Sequence, residues 1–138
     1  MRQSGSQDYA MTIGIGLIAA GSRDSDRIVS IVSRCGLPVW IAHSAEAYGR
    51  DARRASALCN IIDMPGQGGL ETLEALRALG NRAPAILIAD AARAFPHGRL
   101  VRARPLDVLQ RPAATSDILG WIECICAAHM VLEKRHAA

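Results

Sequence analysis

The run LCNIIDMPGQGGLETLEALRALG, from Leu58 to Gly80, decides the fold. Its first five residues are apolar apart from Asn60, too few for a helix, and Asp63 and Pro65-Gly66 stop them, so they read as a buried strand. Asp63 then stands at the carboxyl end of that strand. Past the turn, Leu70, Leu73, Leu76 and Leu79 recur at three-residue steps and Gly80 follows as a C-cap, which predicts the apolar stripe of a helix. In open parallel sheets, ligands and chemistry gather at the carboxyl ends of the strands.

The same alternation continues on both sides. Upstream, Met11 to Ala20 reads as a first strand, and Ser22 or Asp24 can cap a helix whose Ile28, Ile31, Val32 and Cys35 repeat at helical spacing before Gly36. Leu37 to Ala42 is a short second strand with Pro38 near its start. Ser44 caps an Ala- and Arg-rich element over residues 45–55. Downstream, Pro84 opens the continuous apolar strand Ala85 to Ala89 and Asp90 closes it. Ala91 to Arg102 contains Phe95-Pro96-His97-Gly98, so its helix is short or broken. Leu106 to Gln110 is a fifth strand ended by Arg111-Pro112, and Thr115 or Ser116 caps a last helix running to about Lys134. Five short strands separated by helices predict an α/β fold, a doubly wound parallel sheet with helices on both faces.

Length and composition agree with one domain over residues 11–138 preceded by a flexible polar tail, residues 1–10. A chain of 138 residues can bury a full core without disulfides or metal. With 50% apolar and 21% charged residues it is a globular chain and not a disordered one. The net charge of +3 is too small to argue for a nucleic-acid partner, although every basic residue except Lys134 is Arg. Cys35, Cys59, Cys124 and Cys126 lack zinc-type spacing and fall in apolar patterns, so they read as reduced core thiols of a cytoplasmic protein. Arg2, the apolar run Ala10 to Ala20 and Ala19-Ala20-Gly21 trace the outline of a signal peptide. Asp8, two internal glycines and the need for a first strand speak against it. No run approaches the ~18 apolar residues of a membrane span.

Asp63, Met64-Pro65-Gly66, Gly69-Leu70-Glu71 and Leu73 resemble the third strand, following loop and third helix of a receiver domain, the phosphoacceptor module of two-component response regulators. The family's pattern is an aspartate, two further residues, Met-Pro-Gly, two residues and then Gly-Leu. Here Met64 follows Asp63 directly. Either the loop is two residues shorter and Asp63 holds the acceptor place, or the loop is intact and Ile61 holds it. The resemblance runs from Met11 to about Leu132, and Arg111-Pro112 falls where the family has Lys-Pro. It implies the flavodoxin-like receiver architecture.

It also implies a site that this sequence only partly supplies. Receiver phosphorylation uses a magnesium ion held by an acidic pair after the first strand, because a carboxylate cannot meet an anionic phosphoryl group without charge neutralisation. That pair aligns with Ala19 and Ala20. The hydroxyl residue ending the fourth strand aligns with Ala89, the aromatic switch residue with Val108, and the lysine with Arg111, which keeps the charge in a bulkier, planar form. The expected protein is therefore a degenerate receiver domain, not an enzyme. It acts in signal transduction or transcriptional control through protein partners, a histidine kinase or an output protein, with no cofactor and no metal. The alternative within the fold is a phosphorylatable receiver with Asp63 as acceptor, its metal site built from Asp24 or Asp26. The bland reading of Asp63 is a carboxylate paired with Arg111.

Gly14-Ile15-Gly16-Leu17-Ile18-Ala19 matches G-x-G-x-x-A and raises a third possibility, a nucleotide-binding α/β enzyme. The glycines lie inside an apolar run instead of after it, and no acidic residue closes the second strand. Strand glycines packed closely explain the match more cheaply. The segment bearing Arg93, Arg99, Arg102, Arg104 and Arg111 reads as a solvated face before it reads as a docking site, since only Phe95 could stack a base. In the last helix, Ile118, Leu119, Ile122, Ile125 and Cys126 form a core stripe. Trp121, Cys124, Ala128 and Val131 form a second one turned away from it. This second stripe, set beside the arginine segment, predicts a homodimer centred near Trp121.

Overall fold

The computed structural model describes residues 13–21, 23–51, 56–91 and 94–137. The expected tail, the Met11-Thr12 start of the first strand, the Ser22 cap, residues 52–55 of the third element and Arg93 lie outside them. Strands β1 (Gly14–Ala19), β2 (Val39–Ala42), β3 (Ala57–Asp63), β4 (Ala85–Ala89) and β5 (Asp107–Gln110) alternate with helices α1 (Arg23–Arg34), α2 (Ala45–Gly49), α3 (Gly68–Ala78), α4 (His97–Ala103) and α5 (Thr115–Ala137). All strand pairs are parallel, in the order β2-β1-β3-β4-β5. This is the doubly wound α/β sheet that the alternation predicts.

Side-chain parity divides the core into two layers. Ile15, Leu17, Cys59, Ile61, Ile86 and Ile88 face α1 and α5, where they meet Ile28, Val32, Ile118 and Ile122. The intervening Ile18, Ile62, Ala85 and Leu87 face α2, α3 and α4, where they meet Tyr48, Leu70, Leu73 and Leu76. A strand buried on both faces cannot alternate with polar residues, which is why β3 and β4 read as continuous apolar runs. Each fully buried Leu or Ile contributes roughly 1.5–3 kcal/mol.

One expectation about a helix changes. Leu79 is exposed and caps α3 instead of extending its stripe. Leucines three apart fall back by 60° per step, so nine residues after Leu70 the stripe has rotated to the far side of the helix. Gly80 takes the left-handed conformation that ends the turn, with φ 88°. The cysteines also differ from the expected core thiols. Only Cys59 is buried, with its pKa pushed up to about 12 by burial, while Cys35 and Cys124 are exposed and Cys126 is half-buried.

α5 carries the expected two stripes. Ile118 and Ile122 are buried, Leu119, Ile125 and Cys126 half-buried, and Cys124, Ala128 and Val131 exposed. Trp121 packs against the core layer shared with α1. Its ring lies half-buried at the sheet edge and its Nε1 donates to Asp107 Oδ2 of β5 at 2.9 Å. The arginine segment does not flank the second stripe on its own face, because α4 belongs to the opposite layer. By length and composition, Thr115–Arg135 could cross a membrane. Asp117 and Glu123 break the apolar runs that would have shown this in the sequence, and burial of Ile118 and Ile122 ties the helix to the sheet.

The G-x-G-x-x-A match is a strand feature, so the nucleotide-enzyme alternative loses its motif. Gly14 and Gly16 lie within β1, and no helix opens at Gly16. A Cβ at Gly14 would lie 2.6 Å from the Pro38 carbonyl, and one at Gly16 would overlap the Tyr48 hydroxyl and Asn60 Oδ1. Gly16→Ala should therefore destabilise the fold by about 2–3 kcal/mol in urea unfolding, since the added methyl separates a buried hydrogen-bonded pair. A change below 0.5 kcal/mol would show that the layer yields.

Candidate functional site

Register brings four strand ends to one edge. Ala19 lies opposite Asp63, Asp63 opposite Ile88, and Ala89 opposite Gln110. The Ala20 amide donates to the Asp63 carbonyl at 3.3 Å, and the Arg111 amide to the Ala89 carbonyl at 2.7 Å. Asp63 shares parity with Cys59 and Ile61, so its side chain is directed to the α1 layer. Ser25, in the first turn of α1, donates to Asp63 Oδ2 at 2.7 Å. Arg111 Nη1 donates to the other oxygen, Oδ1. Asp63 is 3% exposed.

Arg111 holds more than Asp63. Its Nε donates to Asp90 Oδ1 at 2.9 Å, and Nη1 lies 3.6 Å from Asp24 Oδ2. Nη2 is 3.5 Å from the Met64 carbonyl. Asp90 Oδ2 in turn accepts from the Gly66 amide at 3.0 Å, tying the loop after β3 to the end of β4. Asp24 Oδ1 accepts from Arg27 at 3.3 Å, and Arg27 reaches the Thr115 hydroxyl at 3.1 Å and the Ala113 carbonyl. Three carboxylates thus meet two guanidinium groups, and Arg111 touches all three.

The electrostatics follow. Burial opposes the charge on Arg111, but its hydrogen bonds to Asp63 and Asp90 outweigh burial and hold its pKa above the ordinary value. The Gly66 amide first, then Arg111, hold the exposed Asp90 carboxyl below the usual carboxylate range. A cleft of about 260 Å³ opens beside the pair, lined by Ala20, Gly21, Asp63, Pro65, Asp90 and Arg111.

Of the residues expected from the sequence, Ala19, Ala20, Asp63, Ala89 and Arg111 converge here. Val108 does not, being set back in β5 and packed against the α3 and α4 layer. Ile61 is buried inside β3, paired with Leu17 and Ile86. Asp26 is exposed and makes none of these contacts, whereas Asp24 does. Sequence reading missed Ser25, for which only its place in the first turn of a helix following β1 was available as a signal. It placed Asp90 at a strand end without assigning it a partner.

No protein-family model matches the sequence, and no similar curated protein was found. Solved structures give the fold. A response regulator receiver protein from Pseudoalteromonas atlantica superposes with a TM-score of 0.70 at 21% identity, over 83% of this chain and 98% of that one. A chemotaxis response regulator of Vibrio cholerae gives 0.63 at 18% identity, over 83% and 99%. The N-terminal domain of a response regulator/sensory box/GGDEF protein from Carboxydothermus hydrogenoformans gives 0.68 at 14%, over 86% and 97%. The chain has the receiver fold.

Arg111→Ala would leave Asp63 buried with one charged partner lost, so it should cost roughly 2–4 kcal/mol in urea unfolding at pH 7. Arg111→Lys, which keeps a charge but loses the fork to Asp90, should cost less. The Asp90 tie also has a pH sign. Because its folded pKa is depressed, its contribution is complete above the ordinary value of 3.8 and disappears as pH falls through the lower folded value. Asp90→Asn should flatten that acid limb, and an unchanged limb would contradict the tie.

Proposed function

We propose that this domain is an atypical receiver, an interaction module in signal transduction that does not take up phosphate under magnesium, with Asp63 at the acceptor position. One observation carries the reading: Arg111 contacts Asp63 and Asp90 and approaches Asp24, filling with an internal guanidinium the place a divalent cation would need. β1 ends in Ala19 and is followed by Ala20, and neither offers a side-chain oxygen. Both Asp63 oxygens are engaged, by Ser25 and by Arg111. Among the described residues no three His, Cys, Asp or Glu side chains are grouped to hold a metal ion. These residues do not fit magnesium.

Three carboxylates against two guanidiniums leave one net negative charge, which disfavours approach of a phosphoryl dianion. Ala89 has no hydroxyl to receive one, and Val108 has no ring to reposition. A site with one arrangement gives a phosphate mimic no population to shift. Partners are then met by surface, a histidine kinase or an output protein by the standard of the fold.

Incubation with acetyl phosphate and magnesium should leave the intact mass unchanged. A stable gain of one phosphate that Asp63→Asn abolishes would overturn the reading in favour of a phosphorylatable receiver with Asp63 as acceptor.

The second part of the proposal is a homodimer through α5. Val131 and Leu132 are each 52% exposed, and with Cys124 and Ala128 they extend an apolar surface from Trp121 towards the end of the helix. Two such surfaces related by a two-fold axis would cover each other. Sedimentation should give a dimer at tens of micromolar, and both Trp121→Glu and Val131→Glu should be monomeric. Val131 is already exposed, so its variant separates loss of the interface from loss of the fold. A monomeric wild type, or a Val131→Glu dimer, would refute the interface.

A further inference from the structure

The opposite, amino edge of the sheet gathers positive charge. Arg77 in the last turn of α3, Arg82 before β4 and Arg104 before β5 line one open cleft of about 420 Å³, walled by Pro84, Pro105 and Leu106. No carboxylate lines it. Arg27, Arg50, Arg99 and Arg111 each pair with an acidic side chain, whereas Arg82 and Arg104 form no ion pair among the described residues.

Arg77 builds the cleft. Its guanidinium donates to the carbonyls of Asn81 at 3.2 Å, Ala83 at 2.8 Å, Ala103 at 3.0 Å and Arg104 at 3.2 Å, clamping the loops before β4 and β5. Burial, followed by repulsion from Arg104 and Arg82, holds its pKa below the ordinary value. With its donors spent on carbonyls, Arg77 shapes the cleft and leaves the free forks to Arg82 and Arg104.

Arg104 carries a second sign of use. It is the C-cap of α4 with φ 55° and ψ 58°, the one left-handed non-glycine among the described residues. Helices usually end this way on Gly, because a Cβ crowds the backbone in the left-handed conformation. Here the strained position presents a guanidinium at the cleft instead.

We propose that this cleft binds a phosphate-bearing small molecule with a planar ring, in chemical class a nucleotide. The forks of Arg82 and Arg104 would take phosphate oxygens bidentately. The Pro84, Pro105 and Leu106 wall offers the ring an apolar surface, in a cleft within the ~300–1,000 Å³ usual for such ligands. Concavity and this wall favour a small molecule over an acidic protein surface. The lack of stacking aromatics disfavours a nucleic-acid strand. The site is independent of Asp63 and of the interaction reading above.

Calorimetric titration of the full chain with ATP, pyrophosphate and a single-stranded oligonucleotide tests it. One-to-one binding of ATP, tighter than pyrophosphate, is expected. Arg82→Ala and Arg104→Gly should each weaken it about tenfold or more, as loss of a charge-assisted bidentate contact does. Arg104→Gly also relieves the backbone, so its melting temperature should hold or rise while binding falls, a pairing that a merely structural arginine would not give. Three results would overturn the proposal: no saturable ATP binding, equal affinity for pyrophosphate, or oligonucleotide binding without ATP binding. Full affinity in Arg104→Gly would do so as well.

Discussion

One guanidinium organises the carboxyl edge of this sheet. Without Arg111, Asp24, Asp63 and Asp90 would place three negative charges around the ends of β3 and β4, with Asp63 nearly dry. Burial of an unpaired carboxylate costs several kcal/mol, so the loops after β3 and β4 and the start of α1 can close together only because a cation is built into β5's end. Unlike a bound metal, this cation is covalently attached and does not exchange with solution. A countercharge to Asp63 is consequently always at hand, and guanidinium stays protonated throughout the physiological pH range.

The fold was legible because apolar runs of five residues, bounded by Gly, Pro and Asp, occur at the right spacing, as Ala85 to Ala89 shows with identical bounds in sequence and structure. It was legible twice over, since Asp63 to Leu73 also resembles the receiver loop. What failed was local. The three-residue leucine spacing suggested a stripe to Leu79, but helical rotation carries that residue to solvent. The cysteines looked alike in sequence, yet only Cys59 sits on a strand enclosed by both layers.

The site was half legible for a geometric reason. Asp63 and Arg111 end strands, and strand ends can be read from runs. Ser25 and Asp24 reach the same place from the first turn of α1, and their arrival depends on the length of the turn after β1 and on the parity of Asp63. Neither is written in any single spacing. Trp121 shows the same limit from the other side: helical periodicity gave its angle on α5, but its indole finds Asp107, a residue of the edge strand, through tertiary packing alone.

The close approach at Gly16 has a consequence for how the sheet assembles. Its missing side chain leaves room for Tyr48 to bond Asn60, and Asn60 to bond Asn81 at 3.3 Å, a buried polar chain linking α2, β3 and the loop after α3. The neighbouring strands β1 and β4 are apolar on both faces, so after a slip of β3 by two residues most of its apolar side chains would still meet apolar neighbours. The slip would also carry Asn60 away from both partners and bury an amide with nothing to bond, at a cost of roughly 1–3 kcal/mol for each unmet group. Hydrophobic burial makes β3 a central strand; the asparagine makes it this strand in this register.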